Sequence, residues 1–130
     1  MKYLFDSSAI INLIRKGDLR VLSEGCTLDL ALYESLNALW KEHHLLKRLS
    51  RDLLAEYVDI LLRIFEVIDV KTVADLEREV LENAIRYYLT VYDSSYITYA
   101  SENDLVLVTD DAKLAKRVKG RVEALSTSEL

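Results

Sequence analysis

The sequence contains no proline or glutamine, only three glycines and a single cysteine, Cys26. One cysteine excludes an internal disulfide framework and a zinc site built from cysteines. No apolar run approaches the roughly 18 residues that a membrane-spanning helix needs. The segment from Met1 to Asp6 has only three consecutive apolar residues before its acid, unlike a secretory signal. These absences predict a cytoplasmic protein with no membrane partner.

An excess of positive charge is also missing. The chain has 17 Lys and Arg residues against 22 Asp and Glu residues, for a net charge of −5. This balance excludes a protein that coats nucleic acid through bulk charge, but not an enzyme that contacts a few phosphates through a local patch. Because 51% of the residues are apolar and the chain has 130 residues, we expect one folded domain over residues 1–130.

Short apolar runs alternate with longer helical patterns, which is typical of an α/β domain. Gly17 is placed to end the first helix, and Ser50, Thr90 and a Thr72–Asp75 capping box are placed to begin later ones. The pattern predicts a three-layer α/β/α sandwich with parallel strands and right-handed crossovers. The predicted strands are 3–5, 27–30, 67–70, 105–108 and 122–125, and the predicted helices are 9–16, 18–24, 32–48, 51–65, 72–88, 91–102 and 110–118.

Four acids fall near the ends of these strands. Asp6 follows strand one, Asp111 follows strand four, Glu34 lies in the first turn after strand two, and Asp93 lies in the first turn of the helix before strand four. Ligands of open parallel sheets bind beyond the carboxyl ends of the strands. Each acid alone also fits a helix-capping or helix-dipole role, and the same holds for Asp110. The architecture can, however, bring all four to one place.

Converging carboxylates imply a bound cation. Two unit charges about 4 Å apart repel by about 4 kcal/mol at an effective dielectric constant near 20, so such groups must protonate or bind a metal. Oxygen ligands without histidine or thiolate point to Mg²⁺ or Mn²⁺, and a site of this type suits phosphodiester chemistry.

Four motifs in this order carry a resemblance to a known family. They are Leu4-Phe5-Asp6-Ser7-Ser8, Tyr33-Glu34-Ser35-Leu36-Asn37, Tyr92-Asp93-Ser94-Ser95-Tyr96 and the segment from Leu107 to Ala115 that contains Thr109-Asp110-Asp111. With them the whole chain resembles a PIN-domain ribonuclease, specifically the VapC-type toxin of a VapBC toxin–antitoxin pair. The resemblance implies a sheet of order 3-2-1-4-5.

The resemblance also implies site residues and chemistry. Asp6, Glu34, Asp93 and Asp111 would bind Mg²⁺ or Mn²⁺ and support endonucleolytic cleavage of RNA by metal-activated water. Ser7 and Thr109 would be auxiliary polar contacts. Two further roles stay open. Asp110 either contributes an oxygen to the metal site or caps its helix, and capping is the favoured interpretation. Asn37 either reaches the site from the helix face that it shares with Glu34 or is a surface residue.

Two basic stretches are candidates for RNA contact. Lys41 lies two helical turns beyond Glu34, and Lys113 opens a segment of five basic residues without an acid. Both are candidate phosphate contacts, whereas Arg117 and Lys119 are better explained as partners of the helix dipole. The Leu-rich helices from Leu32 to Phe65 offer apolar surface for an antitoxin or a homodimer. The alternative function is a catalytically silent PIN-like module that binds protein or RNA.

Overall fold

The sheet consists of five short parallel strands. The computed structural model describes all 130 residues, and its strands pair in the order β3-β2-β1-β4-β5, as predicted. The central strand is β1, in which Phe5 pairs with Thr27 on one side and with Val108 on the other. The strands are β1 (Tyr3–Phe5), β2 (Gly25–Leu28), β3 (Asp69–Lys71), β4 (Val106–Val108) and β5 (Ala124–Leu125).

Six α-helices surround the sheet. The chain moves from β1 to β2 and β3 in one direction and then to β4 and β5 in the other. Right-handed crossovers therefore place the first three helices and the last three on opposite faces. Short 3₁₀ turns precede β2 and follow β5. The helices are α1 (Ser7–Lys16), α2 (Leu30–Trp40), α3 (Arg51–Val67), α4 (Glu77–Tyr87), α5 (Val91–Glu102) and α6 (Ala112–Val118).

Local sequence signals explain several of the helix ends. The side chain of Ser50 accepts a hydrogen bond from the backbone of Leu53 at the start of α3, and Thr90 accepts one from Asp93 at the start of α5. Gly17 ends α1 in the left-handed conformation, with φ of 72°. These three predicted caps are confirmed.

Other predicted boundaries are wrong. The Thr72–Asp75 capping box does not form, because Thr72 accepts a hydrogen bond from the nearby Ala74 backbone and Asp75 adopts a positive φ of 71°. Helix α4 therefore begins only at Glu77. The predicted helix 32–48 ends at Trp40 and passes into a π-helical turn, Lys41–Leu45.

The core lies on both faces of the sheet. The β1 and β4 side chains of Leu4, Phe5 and Leu107 have no exposed surface, and neither does Ile10 on the sheet-facing side of α1. Burial of such side chains from water is the main source of stability in a domain of this size. The central strands are therefore fixed, and with them the positions where the chain leaves the sheet. No helix is both long and apolar enough to cross a membrane.

Candidate active site

Two neighbouring strand ends form the centre of the site. Because Phe5 and Val108 are paired, Asp6 and Thr109 leave the sheet side by side, and the Asp6 amide donates to Val108 O at 3.1 Å. The Asp6 carboxylate caps α1: Oδ1 accepts from Ala9 N at 2.9 Å and from Ser8 Oγ at 2.6 Å. Asp6 is only 5% exposed, so its charge is held inside the edge of the sheet.

Ser8 connects the two strand ends. Its Oγ accepts from Asp110 N at 2.9 Å and lies 3.4 Å from Thr109 Oγ1. The buried hydroxyl of Thr109 in turn accepts from Asp111 N at 3.1 Å. Thr109 therefore has the auxiliary position predicted for it. On α1, however, the hydroxyl that contacts Asp6 belongs to Ser8 and not to Ser7, the residue that the resemblance implies. The missed signal is the pair of hydroxyl residues, Ser7 and Ser8, that follows the capping acid Asp6 at the start of α1. Either hydroxyl could have been the one that contacts Asp6.

Helices α2 and α5 supply the other two acids. Glu34 lies one turn into α2 and its Oε1 accepts a hydrogen bond from Tyr96 Oη at 2.7 Å. Tyr96 lies on α5, one turn after Asp93, and is 1% exposed. This hydrogen bond fixes α2 against α5 at the level where both acids reach the strand ends.

The four acids influence one another electrostatically. Burial raises the pKa of Asp6, and the charge of Asp111 raises it further, against hydrogen bonds from Ser8, Thr109 and Ala9. Burial likewise raises the pKa of Glu34, with added repulsion from Asp6 and Asp93. The pKa of Asp93 is also raised by burial and then by Asp111. These electrostatic effects connect all four predicted acids at this edge of the sheet.

The donor set fits a hard divalent cation in kind. The four acids offer carboxylate oxygens, and burial and neighbouring charge raise the pKa values of Asp6, Glu34 and Asp93, so the folded chain disfavours their ionised forms. No three acidic, histidine or cysteine side chains in the structure are close enough together to enclose a metal ion. Metal binding at this cluster would therefore require the acidic side chains to move closer together.

Asp110 has a structural role that differs from the one favoured above. The N-cap of α6 is Asp111, whose Oδ1 accepts from the Lys113 and Leu114 amides. The prediction that Asp110 caps this helix is therefore wrong. Asp110 instead accepts from Asn12 Nδ2 at 2.7 Å and from Thr127 N and Oγ1 at 2.8 and 2.7 Å. Burial acts to raise the pKa of Asp110, but these hydrogen bonds prevail and lower it.

Positive charge lies beside the cluster. Asp93, Asp111, Lys113 and Arg117 line a cleft of about 230 Å³. Lys113 lines this cleft, and its contact with phosphate stays a prediction. Arg117 was assigned to the helix dipole, but it lines the cleft, and its charge acts to lower the pKa of Asp93.

Two other predicted residues lie along α2 and its extension. Asn37 and Lys41 are exposed, one and two turns beyond Glu34. The ion pairs of the chain join Arg15 to Glu42 and Arg20 to Asp18, so Lys41 pairs with no site acid. The structure shows no contact between either residue and the four acids. An auxiliary role for Asn37 and a phosphate contact for Lys41 therefore stay predictions.

Comparison with known sequences identifies relatives, although no family model matches the chain. The chain is 34% identical over 125 residues to Exonuclease VapC9 from Pyrobaculum aerophilum, which covers 95% of this chain and 90% of that protein. It is 33% identical over 91 residues to Ribonuclease VapC3 from the same organism, with 70% of this chain and 69% of that protein covered.

Solved structures with the same fold include a near relative and more distant ones. The crystal structure of PAE2754 from Pyrobaculum aerophilum matches with a TM-score of 0.82 and 34% identity, over 99% of this chain and 92% of that one. The crystal structure of DNA-bound VapBC from Salmonella typhimurium matches over 98% of both chains with a TM-score of 0.66. At 16% identity, that second match shows a common fold alone. The sequence relatives and the strand order agree, and the chain belongs to the VapC family of PIN-domain nucleases.

Proposed function

We propose that this protein is an Mg²⁺- or Mn²⁺-dependent endoribonuclease, the toxin of a VapBC-type toxin–antitoxin pair. The observation that carries the proposal is the cluster of Asp6, Glu34, Asp93 and Asp111 at the edge of the sheet, in which burial and then the charges of neighbouring acids raise the pKa values of Asp6, Glu34 and Asp93. A cluster of this kind is costly to the folded chain unless a cation or protons compensate it. The cost is consistent with a site kept for chemistry.

The surrounding residues hold this cluster in place. Ser8 and the Ala9 amide fix the Asp6 carboxylate, and Tyr96 fixes Glu34. A metal ion bound there would supply the positive charge that acidifies the attacking water and offsets charge on the phosphate. Lys113 and Arg117, in the same cleft as Asp93 and Asp111, are placed to bind the phosphates of the substrate.

RNA is the proposed substrate because two relatives above 30% identity carry the names Exonuclease VapC9 and Ribonuclease VapC3. In the proposed reaction the acids act on the phosphate, which RNA and DNA share, and not on the base. Cleavage of RNA and of DNA must therefore be compared in the same experiment. One of these names, Exonuclease VapC9, specifies cleavage from an end of the strand, whereas the proposal is an endonuclease. A circular substrate separates the two modes because it has no ends.

The experiment incubates the purified chain with linear and circular single-stranded RNA and with single-stranded DNA, in Mg²⁺, Mn²⁺ or EDTA. We expect metal-dependent cleavage of both RNA forms and its loss in Asp6→Asn. The control is Asp59→Asn, which changes an exposed acid on α3. Cleavage of linear RNA alone contradicts the endonuclease assignment. Intact RNA in every reaction, together with no calorimetric Mn²⁺ binding, contradicts the nuclease and favours the silent module.

We also propose a homodimer and an antitoxin partner, in a cytoplasmic setting where RNA is available. Support comes from large apolar side chains left in solvent on and after α2, which soluble monomers rarely group together. Light scattering of the chain alone and of Trp40→Lys tests self-association, and a single monomeric mass for both contradicts it. The exposed residues of this surface are Tyr33, Leu36, Trp40, Leu45 and Leu46.

A further inference from the structure

A second groove opens next to the acidic cleft. Its lining consists of two tyrosines and three basic residues, with no acid, and its volume is about 490 Å³. It shares Tyr88 and Arg117 with the cleft that contains Asp93 and Asp111, so the two are adjacent. We call it the tyrosine–arginine groove; it is lined by Tyr87, Tyr88, Arg117, Lys119 and Arg121.

Tyr88 has an unusual backbone for an aromatic residue. It follows the last residue of α4 in the left-handed conformation, with φ of 55° and ψ of 46°. That conformation costs a residue with a Cβ atom about 1 kcal/mol, and glycine is the usual residue at such a helix end. The Tyr88 side chain is nevertheless 86% exposed, so packing against the protein does not repay the cost. An exposed aromatic ring on a strained backbone points to a contact outside the chain.

Two of the basic residues contact the tyrosines of this groove. The Arg117 guanidinium donates a hydrogen bond to the carbonyl of Tyr88. The Arg121 guanidinium lies over the ring of Tyr87, 3.9 Å from its centroid. Arginine planes and tyrosine faces in one groove, on a chain with a net charge of −5, form a local patch against the overall charge.

We propose that the tyrosine–arginine groove binds the single-stranded RNA that flanks the scissile phosphate. The base of one nucleotide stacks on Tyr88, and the neighbouring phosphates contact Arg117, Lys119 and Arg121. This assignment rests on the proposed function, since the shared Arg117 leads the RNA from the groove to the acidic cluster. It adds a substrate-binding subsite to that function.

The chemistry of the groove favours single-stranded RNA over other ligands. Aromatic faces accept any unpaired base, and stacking contributes about 1–3 kcal/mol per base. A duplex keeps its bases stacked inside and cannot use an exposed ring in this way. The volume of about 490 Å³ also lies in the usual range for sites that take a small ligand, about 300–1,000 Å³.

The test measures binding without cleavage, in the Asp6→Asn background with EDTA. Fluorescence anisotropy follows a short labelled single-stranded RNA, the same RNA with abasic sites, and a duplex of the same sequence. We expect Tyr88→Ala to weaken binding of the intact strand at least about fivefold and to have little effect on the abasic strand. Tyr88→Phe, which keeps the ring, should restore binding.

Further variants separate binding from folding and from bulk charge. Tyr88→Gly relieves the left-handed strain, so it should raise the unfolding temperature while it weakens RNA binding. Arg121→Ala should lower the slope of log affinity against log salt by about one. Arg63→Ala, an exposed arginine on α3 that lines a different cavity, should leave the affinity unchanged.

Each outcome decides between the alternatives. Equal affinity of Asp6→Asn with and without Tyr88→Ala, or no binding of RNA by either, overturns the subsite and favours a protein partner for this groove. That result leaves metal-dependent cleavage by the wild-type chain untouched. Tyr88-dependent binding by a chain that never cleaves RNA supports the subsite and overturns the nuclease.

Discussion

Tyr96 Oη donates a 2.7 Å hydrogen bond to Oε1 of Glu34, although 62 residues separate them in the chain. Burial raises the pKa of Glu34, and this hydrogen bond acts against the rise by stabilising the ionised form. Tyr96 is therefore a positioning residue that also favours the ionised form of Glu34.

Replacement of Tyr96 by phenylalanine tests that relationship. Without the donor the pKa of Glu34 rises further, so the acidic limb of the cleavage pH profile should move to higher pH. Loss of a partner that orients a ligand typically lowers activity about tenfold or more. Tyr99→Phe is the control, because Tyr99 lies on the same helix and is half-buried. An unshifted acidic limb in Tyr96→Phe contradicts the role.

The acidic cluster should make the metal-free protein more stable at lower pH. Asp6, Glu34 and Asp93 have pKa values raised by burial, so the folded state holds their protons more tightly than the unfolded state does. Stability therefore falls as pH rises from the ordinary carboxylate value near 4 to the raised values, and is level above them. Thermal unfolding in EDTA across this range measures the slope.

The same reasoning gives a mutational prediction. Asp6→Asn keeps a good N-cap for α1 but removes the charge, so it should stabilise the metal-free protein at pH 7 by on the order of 1 kcal/mol. It should also flatten the pH dependence, which Asp59→Asn should not. A less stable Asp6→Asn protein in EDTA would show that Asp6 is a structural acid.

Asp110 should behave in the opposite way. Its hydrogen bonds to Asn12 and Thr127 lower its pKa against the effect of burial, so it contributes stability at pH 7 that is lost as pH falls through its folded pKa. Asp110→Asn should cost about 1–2 kcal/mol at neutral pH and less in acid. Denaturant unfolding at two pH values measures this. An Asp110→Asn protein as stable as the parent at pH 7 contradicts the assignment.

Gly25 should tolerate no side chain. A Cβ atom there would overlap the Tyr3 carbonyl and lie 2.7 Å from Cε2 of Phe5, both in the central strand. Gly25→Ala should therefore cost about 3 kcal/mol and reduce cleavage through displacement of β1. Gly17→Ala is the matched control. It has open space and a positive φ of 72°, so it should cost only about 1 kcal/mol. Equal losses of stability in the two variants would mean that β1 shifts to accommodate the added Cβ atom at residue 25.

Sequence patterns were sufficient to predict those features of the fold and of the site that one simple rule determines. The acids at strand ends followed from the parallel sheet, since residues after Phe5 and Val108 must leave at the same edge. The choice between Asp110 and Asp111 as helix cap did not follow, because both residues suit the position and a contact with Thr127 decides it. Likewise, nothing in the local sequence shows that Tyr88 adopts a left-handed conformation. That conformation occurs together with a tertiary contact, the hydrogen bond from Arg117 to the Tyr88 carbonyl.

The assembly of one site from residues far apart in the chain also sets the order in which its parts are made. Asp6 is translated early, but Asp111 and the Thr127 that anchors its neighbour are translated only after nearly all of the sheet. A nascent chain that carries the first three acids still lacks the fourth. A partly synthesised chain therefore holds an incomplete acidic cluster, which is complete only once Asp111 has been added.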